Sequence, residues 1–174
     1  EFRPKIIGLG DATKLDYLFD TLSGFEVECV GGDAACSEIA AIPVDIVVAG
    51  IVGIAGLSSV ISAVQAGQTV ALANKEALVS AGRLVMAEAE RCGAHILPVD
   101  SEHNAVFQCW QGWRGHMGRE VVQADTASLS HICLTASGGP FLETPLEHLP
   151  NMTPREAVQH PNWTMGQKIS VDSA

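Results

Sequence analysis

Basic residues are scarce in this chain: ten Lys plus Arg stand against twenty Asp plus Glu, for a net charge of −10. That deficit removes the electrostatic footprint that nucleic acid or an anionic membrane requires, so neither is expected as a partner. Long apolar runs are missing too. Gly, Ser and Gln interrupt the longest ones before they reach the ~18 residues of a membrane span, and the first residues contain no secretory apolar core. Cysteine is present without a pattern: Cys29, Cys36, Cys92, Cys109 and Cys133 are odd in number and never form a CxxC pair. This argues against a disulfide framework or a structural zinc site, and reduced, mostly buried thiols in a cytoplasmic compartment are expected. None lies in a basic setting that would activate it as a nucleophile. Charged residues make up 17% of the chain, against a usual ~25%. Such a chain either buries much of its surface or normally presents it to something else.

What is present is an alternation. Short β-branched runs (Lys5–Gly8, Glu26–Val30, Asp45–Ala49, Thr69–Ala73, Ala94–Val99) are separated by helical patterns at Thr13–Leu22, Ala34–Ala41, Leu57–Ala66 and Glu76–Cys92. Near-continuous apolar strands alternating with helices predict an α/β fold with a Rossmann-like parallel sheet covered on both faces. The strand ends at Gly50, Asn74 and Asp100 then gather on one edge, where ligands of open α/β sheets bind.

Three segments at strand ends have two readings each. Gly8-Leu9-Gly10 begins like a dinucleotide fingerprint, but Thr13 holds the third glycine position, and a turn is the simpler reading. Gly50 to Gly56 follows a strand and opens a helix; it is either an anion cradle of bare N–H groups or a tight turn for close packing. Asp100-Ser101-Glu102 places two carboxylates one residue apart, costly to desolvate unless a cation or proton relieves them. A hard divalent metal suits them. The alternative is a solvated strand-to-helix turn with Asp100 or Ser101 as N-cap.

Beyond Trp113 the character changes. Polar residues 114–130 precede a further expected strand, His131–Thr135, and then Ser137-Gly138-Gly139-Pro140 opens a long stretch rich in Pro, Thr, Asn and His. A connection of that length signals a lid or mobile loop. Within it Thr153-Pro154-Arg155-Glu156 is a complete helix start: N-cap, Pro at the first position and Glu closing a capping box. No internal repeat is visible.

Four strings go beyond generic pattern: Ala71-Leu-Ala-Asn-Lys-Glu76, Leu97-Pro-Val-Asp-Ser-Glu-His-Asn104, Thr135-Ala-Ser-Gly-Gly-Pro-Phe141, and the segment from His160 to Ala174. In this order and spacing the chain resembles the 1-deoxy-D-xylulose 5-phosphate reductoisomerase family, NADPH enzymes of the methylerythritol phosphate route to isoprenoids. The resemblance runs over essentially the whole chain. It implies a metal-assisted skeletal rearrangement followed by NADPH-dependent reduction to 2-C-methyl-D-erythritol 4-phosphate.

The resemblance also implies roles. Asp100 and Glu102 match two carboxylate ligands of Mg²⁺ or Mn²⁺. Ser101, Lys75, Ser137, His160 and Ser173 match contacts to the phosphorylated ketose substrate, with Lys75, Glu102 and His160 at the catalytic centre. Trp163 and Met165 match the lid over the substrate, placed at 138–166. Asn74, Glu76 and Gly166 match NADPH contacts, although Asn-Lys-Glu at a strand end reads bottom-up as an N-cap with an acidic first turn. Ala136 stands where many relatives have glycine, and Gln167 where many have a basic residue.

The expected organisation is the later part of an NADPH-binding domain at 1–98 and the front of a catalytic domain at 99–174. The family's N-terminal Gly-rich phosphate loop and third metal carboxylate have no counterpart here. The chain is therefore expected to be an internal fragment, inactive or nearly so alone, from a protein that is homodimeric at full length and cytoplasmic, or plastid-located. The alternative is a non-catalytic module that binds metal and phosphosugar through Asp100, Glu102 and Ser137. A third option is another NADP oxidoreductase sharing only the fold.

Overall fold

The structure, a computed structural model, describes residues 2–114, 130–135, 138–162, 164 and 166–172, with side chains for all of these except 110–114 and 172. The chain divides into two compact units, 1–124 and 125–174.

In the first unit the expected alternation is present. Strand β1 (Ile6–Leu9) leads through helix α1 (Leu15–Thr21) to β2 (Glu28–Gly31), then α2 (Ala35–Ala40), β3 (Val47–Ala49), α3 (Leu57–Gln65), β4 (Thr69–Leu72), α4 (Lys75–Cys92), β5 (His95–Pro98) and α5 (Ser101–Arg114). All strand pairs are parallel. The strands form two ladders, β1-β2 and β3-β4-β5, rather than one continuous sheet. Helices α2 and α3 pack against each other, α2 also against β1 and α3 against β3 and β4. β3 is the edge strand of its ladder among the described residues, and Val48 on it is 72% exposed, so at this strand one face of the sheet is open where covered faces were expected.

The core sits around β4, the central strand of the larger ladder. Val70 and Leu72 point to one side, as the two-residue strand period requires. They meet Val60, Ala63 and Val64 of α3 and Ala77, Val85 and Ala89 of α4. The small residues on α3 and α4 let the helices approach closely, and Gln65 on α3 donates to Glu88 on α4 (3.0 Å).

Helix α4 is bent where the sequence suggested a continuous helix: Ala81 leaves helical geometry (φ −137°, ψ 23°). Ser80 and Gly82 flank it, the kind of pair at which helices kink. None of the five cysteines is fully buried. Cys29, Cys36 and Cys92 are half-buried, while Cys109 and Cys133 are exposed, which corrects the expectation of mostly buried thiols.

The described residues of the second unit form turns and short helices. Gly138 and Gly139 both adopt positive φ, and a chain of turns follows, closed by Thr144 N–H to Phe141 O (3.0 Å) and His148 N–H to Pro145 O (2.9 Å). Helix α6 (Pro154–Ala157) starts as the sequence predicted: Thr153 accepts from the Glu156 N–H while Glu156 reaches back to the Thr153 N–H (2.8 Å). Helix α7 (Gln167–Asp172) follows. Residues 131–135 form no strand, with Ile132 and Leu134 exposed. A strand requires a hydrogen-bonded neighbour, and these residues have none among the described residues.

Candidate active site

The register of the larger ladder sets the site. Ala49 pairs with Leu72, and Leu72 with Pro98, so β3, β4 and β5 end level with one another. The segments that follow (Gly50–Gly56, Asn74–Glu76 and Asp100–Glu102) emerge at one edge, as their sequence positions predicted. Two main-chain bonds lock the exits: Asn74 N–H donates to Ala49 O (2.9 Å) and Val99 N–H to Leu72 O (2.9 Å). Asn74 and Asp100 each lie two residues past the last paired residue of their strand, and each begins a helix.

At the end of β5 the contacts of Asp100 are those of the helix-cap reading. Its Oδ2 accepts from the His103 N–H (3.4 Å), a helix-cap contact, and from the His103 ring, whose Nδ1 lies 2.5 Å away. Because a carboxylate only accepts, Nδ1 carries the shared proton. The Asp100 side chain is 13% exposed and that of His103 is 53% exposed. Asn104 Nδ2 donates to Pro98 O (2.7 Å), tying the first turn of α5 to the strand that precedes it.

Glu102 is held ionised. The Ser101 hydroxyl donates to Glu102 Oε2 (2.7 Å). This bond, reinforced by the Glu102 backbone N–H and by the charge of Lys75, keeps the carboxyl below its ordinary range despite partial desolvation and the nearby Asp100. The same interaction places Lys75, at the head of α4, within electrostatic reach of Glu102.

Asn74 is the N-cap of α4, with Oδ1 accepting from the Ala77 N–H (2.9 Å). Its amide nitrogen donates to Gly53 O (2.8 Å) and to Ile51 O. In the Gly50–Gly56 loop, the backbone at Gly53 (φ 75°, ψ −167°) suits glycine alone. The loop is thus a close-packed turn built around Asn74. Of the Gly8-Leu9-Gly10 segment, Gly8 and Leu9 are the last residues of β1 and Gly10 begins the bend that follows. Asp11 caps the next helical turn by accepting from the Thr13 N–H (3.1 Å) and hydroxyl (2.6 Å), and these bonds lower its pKa. An ionised carboxylate there repels phosphate.

In the second unit, His160 Nδ1 accepts from the Asn162 N–H (3.1 Å), so the neutral ring has its proton on Nε2. The carbonyl of Gly166 accepts from the Ser170 N–H (3.2 Å) at the head of α7. Ser137, Trp163, Met165 and Ser173 lie outside the described residues. His103 and Asn104, which position Asp100 and the α5 start, were quoted in the sequence motif but given no role. The Asp100–His103 spacing of three, which puts both side chains on one helix face, was the available signal.

Two family models match the chain: the 1-deoxy-D-xylulose 5-phosphate reductoisomerase model over residues 1–82 and its C-terminal domain over residues 96–174. The chain belongs to the 1-deoxy-D-xylulose 5-phosphate reductoisomerase family. A reductoisomerase of Shewanella amazonensis is 50% identical over the whole of this chain, which covers 44% of that protein. One from Methylococcus capsulatus is 54% identical over 85% of the chain and 36% of the relative. The chain therefore spans somewhat less than half the length of these reductoisomerases. A solved reductoisomerase in complex with NADPH, fosmidomycin and magnesium superposes with a TM-score of 0.80 at 43% identity, covering 99% of this chain and 42% of that one. The Zymomonas mobilis enzyme in complex with NADPH also gives 0.80, at 42% identity, over 98% of this chain and 41% of that one. The α/β fold with parallel strands is that of these structures.

Among the described residues no three His, Cys, Asp or Glu side chains form a metal-binding group. Asp100 and Glu102 nevertheless fit a hard divalent cation, which binds well to one or two carboxylates with the remaining positions left to water and substrate oxygens.

Proposed function

We propose that the protein containing this chain is a 1-deoxy-D-xylulose 5-phosphate reductoisomerase, producing 2-C-methyl-D-erythritol 4-phosphate in isoprenoid biosynthesis. The observation that supports this best is the level ending of β4 and β5. It sets Asn74-Lys75-Glu76 beside Asp100-Ser101-Glu102, with the charge of Lys75 acting on Glu102. Residues 1–98 are read as the later part of the NADPH domain and 99–174 as the front of the catalytic domain, with the lid at 138–166. The family models, which meet between residues 82 and 96, support that division.

When bound, Mg²⁺ or Mn²⁺ at Asp100 and Glu102 supplies Lewis-acid polarisation of the substrate's carbonyl and hydroxyl oxygens, and NADPH supplies the hydride. The chain's own residues prepare that chemistry. Glu102, ionised through Ser101 and Lys75, offers anionic oxygens at neutral pH. Asp100 is oriented by His103. Lys75 brings a cation to the edge where an anionic substrate approaches, and Glu76 and Gly166 are assigned to the cofactor. His160 is assigned to the substrate. Ser137 and Ser173 are assigned to the phosphate, and Trp163 and Met165 to the cover that excludes water.

The whole protein is read as a cytoplasmic homodimer. Exposed apolar side chains such as Val79 (83%) and Leu84 (71%) on α4 support further protein packing over this surface. No helix among the described residues is long and apolar enough to cross a membrane.

The test is NADPH oxidation, followed by absorbance, with 1-deoxy-D-xylulose 5-phosphate and Mn²⁺. The full-length protein should turn over and the 174-residue chain should not. Robust turnover by the chain alone would contradict the division of the site, and none by the full-length protein would contradict the activity.

A further inference from the structure

We propose that Asn74 is a positioning residue: a buried amide clamp that fixes the Gly50–Gly56 loop against the head of α4. It would act on the cofactor through the shape of that loop rather than by side-chain contact. The proposal rests on the cofactor reading above for its functional consequence and on local geometry for the clamp itself.

Asn74 is 2% exposed. A carboxamide has two N–H donors, and those of Asn74 point to Ile51 O and Gly53 O. Its oxygen accepts from the Ala77 N–H (2.9 Å). Both donors are therefore engaged within the protein, and none remains for a dinucleotide.

The loop is moulded around this amide from the other side. A Cβ at Gly56 would lie 2.7 Å from Ile51 O and 3.0 Å from Asn74 Nδ2, so only a hydrogen fits there. The Ser59 hydroxyl, in the first turn of α3, donates to Gly56 O (2.9 Å). No other side chain of similar size does the same work. Aspartate would set a carboxylate against two carbonyl oxygens, and leucine would leave both carbonyls unsatisfied. The loop and the Lys75-Glu76 helix head share one edge, so one residue sets the relative position of two walls of that edge. The Asp100–Glu102 pair stands on β5 and α5, outside the clamp.

The experiment compares Asn74→Asp and Gly56→Ala in the intact reductoisomerase. The measurements are NADPH affinity by fluorescence titration, amide hydrogen exchange at residues 51–56 without ligand, and Mn²⁺ affinity by electron paramagnetic resonance. Both variants should weaken NADPH binding by about tenfold or more, since small misplacements are amplified in a positioned site. Both should speed exchange in the loop and leave Mn²⁺ affinity unchanged. Gly56→Ala keeps the Asn74 amide intact, so it separates the clamp from direct contact. NADPH affinity lost in Asn74→Asp with unchanged loop exchange would overturn the proposal in favour of direct contact. Normal NADPH affinity in Gly56→Ala with faster exchange would overturn the link to the cofactor. If the unaltered protein bound no NADPH, the cofactor reading would fail, and the exchange data would still decide the clamp.

Discussion

Replacing His103 with alanine tests how the carboxylate pair is held. The ring's Nδ1 lies 2.5 Å from Asp100 Oδ2 and is the side-chain contact that fixes which way this carboxylate faces. The remaining tie, the His103 N–H at 3.4 Å, survives the substitution but is long. Groups that orient a metal ligand from behind commonly affect metal affinity by about 10- to 100-fold. His103 is 53% exposed, so water competes for the contact and the lower end applies. About tenfold corresponds to about 1.4 kcal/mol. The assay is free Mn²⁺ by electron paramagnetic resonance across a titration, with circular dichroism confirming that α5 is retained. His103→Ala should raise the Mn²⁺ dissociation constant about tenfold. An unchanged constant would refute an orienting role. A tighter one would show that the ring competes with the cation for Oδ2.

Two further outcomes concern the scaffold. Val70, fully buried in the central strand, loses two methyl groups in Val70→Ala. At about 0.8 kcal/mol each plus a cavity contribution, the change should destabilise by about 2–3 kcal/mol in urea unfolding of the intact protein; a loss under about 0.5 kcal/mol would show that β4 is not the core. Glu88 is held at about 2 by hydrogen bonds from Arg91 and Gln65, against an ordinary 4.5. Its folded-state pKa is depressed, so its contribution is complete above about pH 4.5 and is lost as pH falls from there towards 2. The melting temperature difference between wild type and Glu88→Gln should therefore shrink over that window; a constant difference would mean that the ionisation of Glu88 contributes nothing.

The parts of the fold legible in the sequence were those set by local chemistry. The capping box at Thr153–Glu156 and the N-cap at Asn74 need only residues three apart, and both formed as read. The β3, β4 and β5 segments were legible because buried parallel strands must be apolar throughout. What was not legible depends on distant partners. His131–Thr135 has strand composition but no neighbouring strand among the described residues, and the apolar pattern at Ile6–Gly8 could not say that β1 pairs with β2 alone. At the site, Asp100-Ser101-Glu102 was read as either a cap or a metal pair because each role uses the same residue types. The structure shows the cap contacts and leaves both carboxylates at the edge. The second and third partners of the Asn74 amide, Ile51 and Gly53, lie more than twenty positions away, beyond any local pattern.

In the proposed reaction Asp100 and Glu102 together hold the divalent cation. Mn²⁺ titration of Asp100→Asn, Glu102→Gln and the unaltered full-length protein tests it most directly. A neutral amide is a poor ligand for a hard cation, so each variant should lose most Mn²⁺ affinity and, with it, NADPH oxidation, while NADPH binding stays intact. Unaltered Mn²⁺ affinity and turnover in both variants would show that these carboxylates are not the metal's ligands.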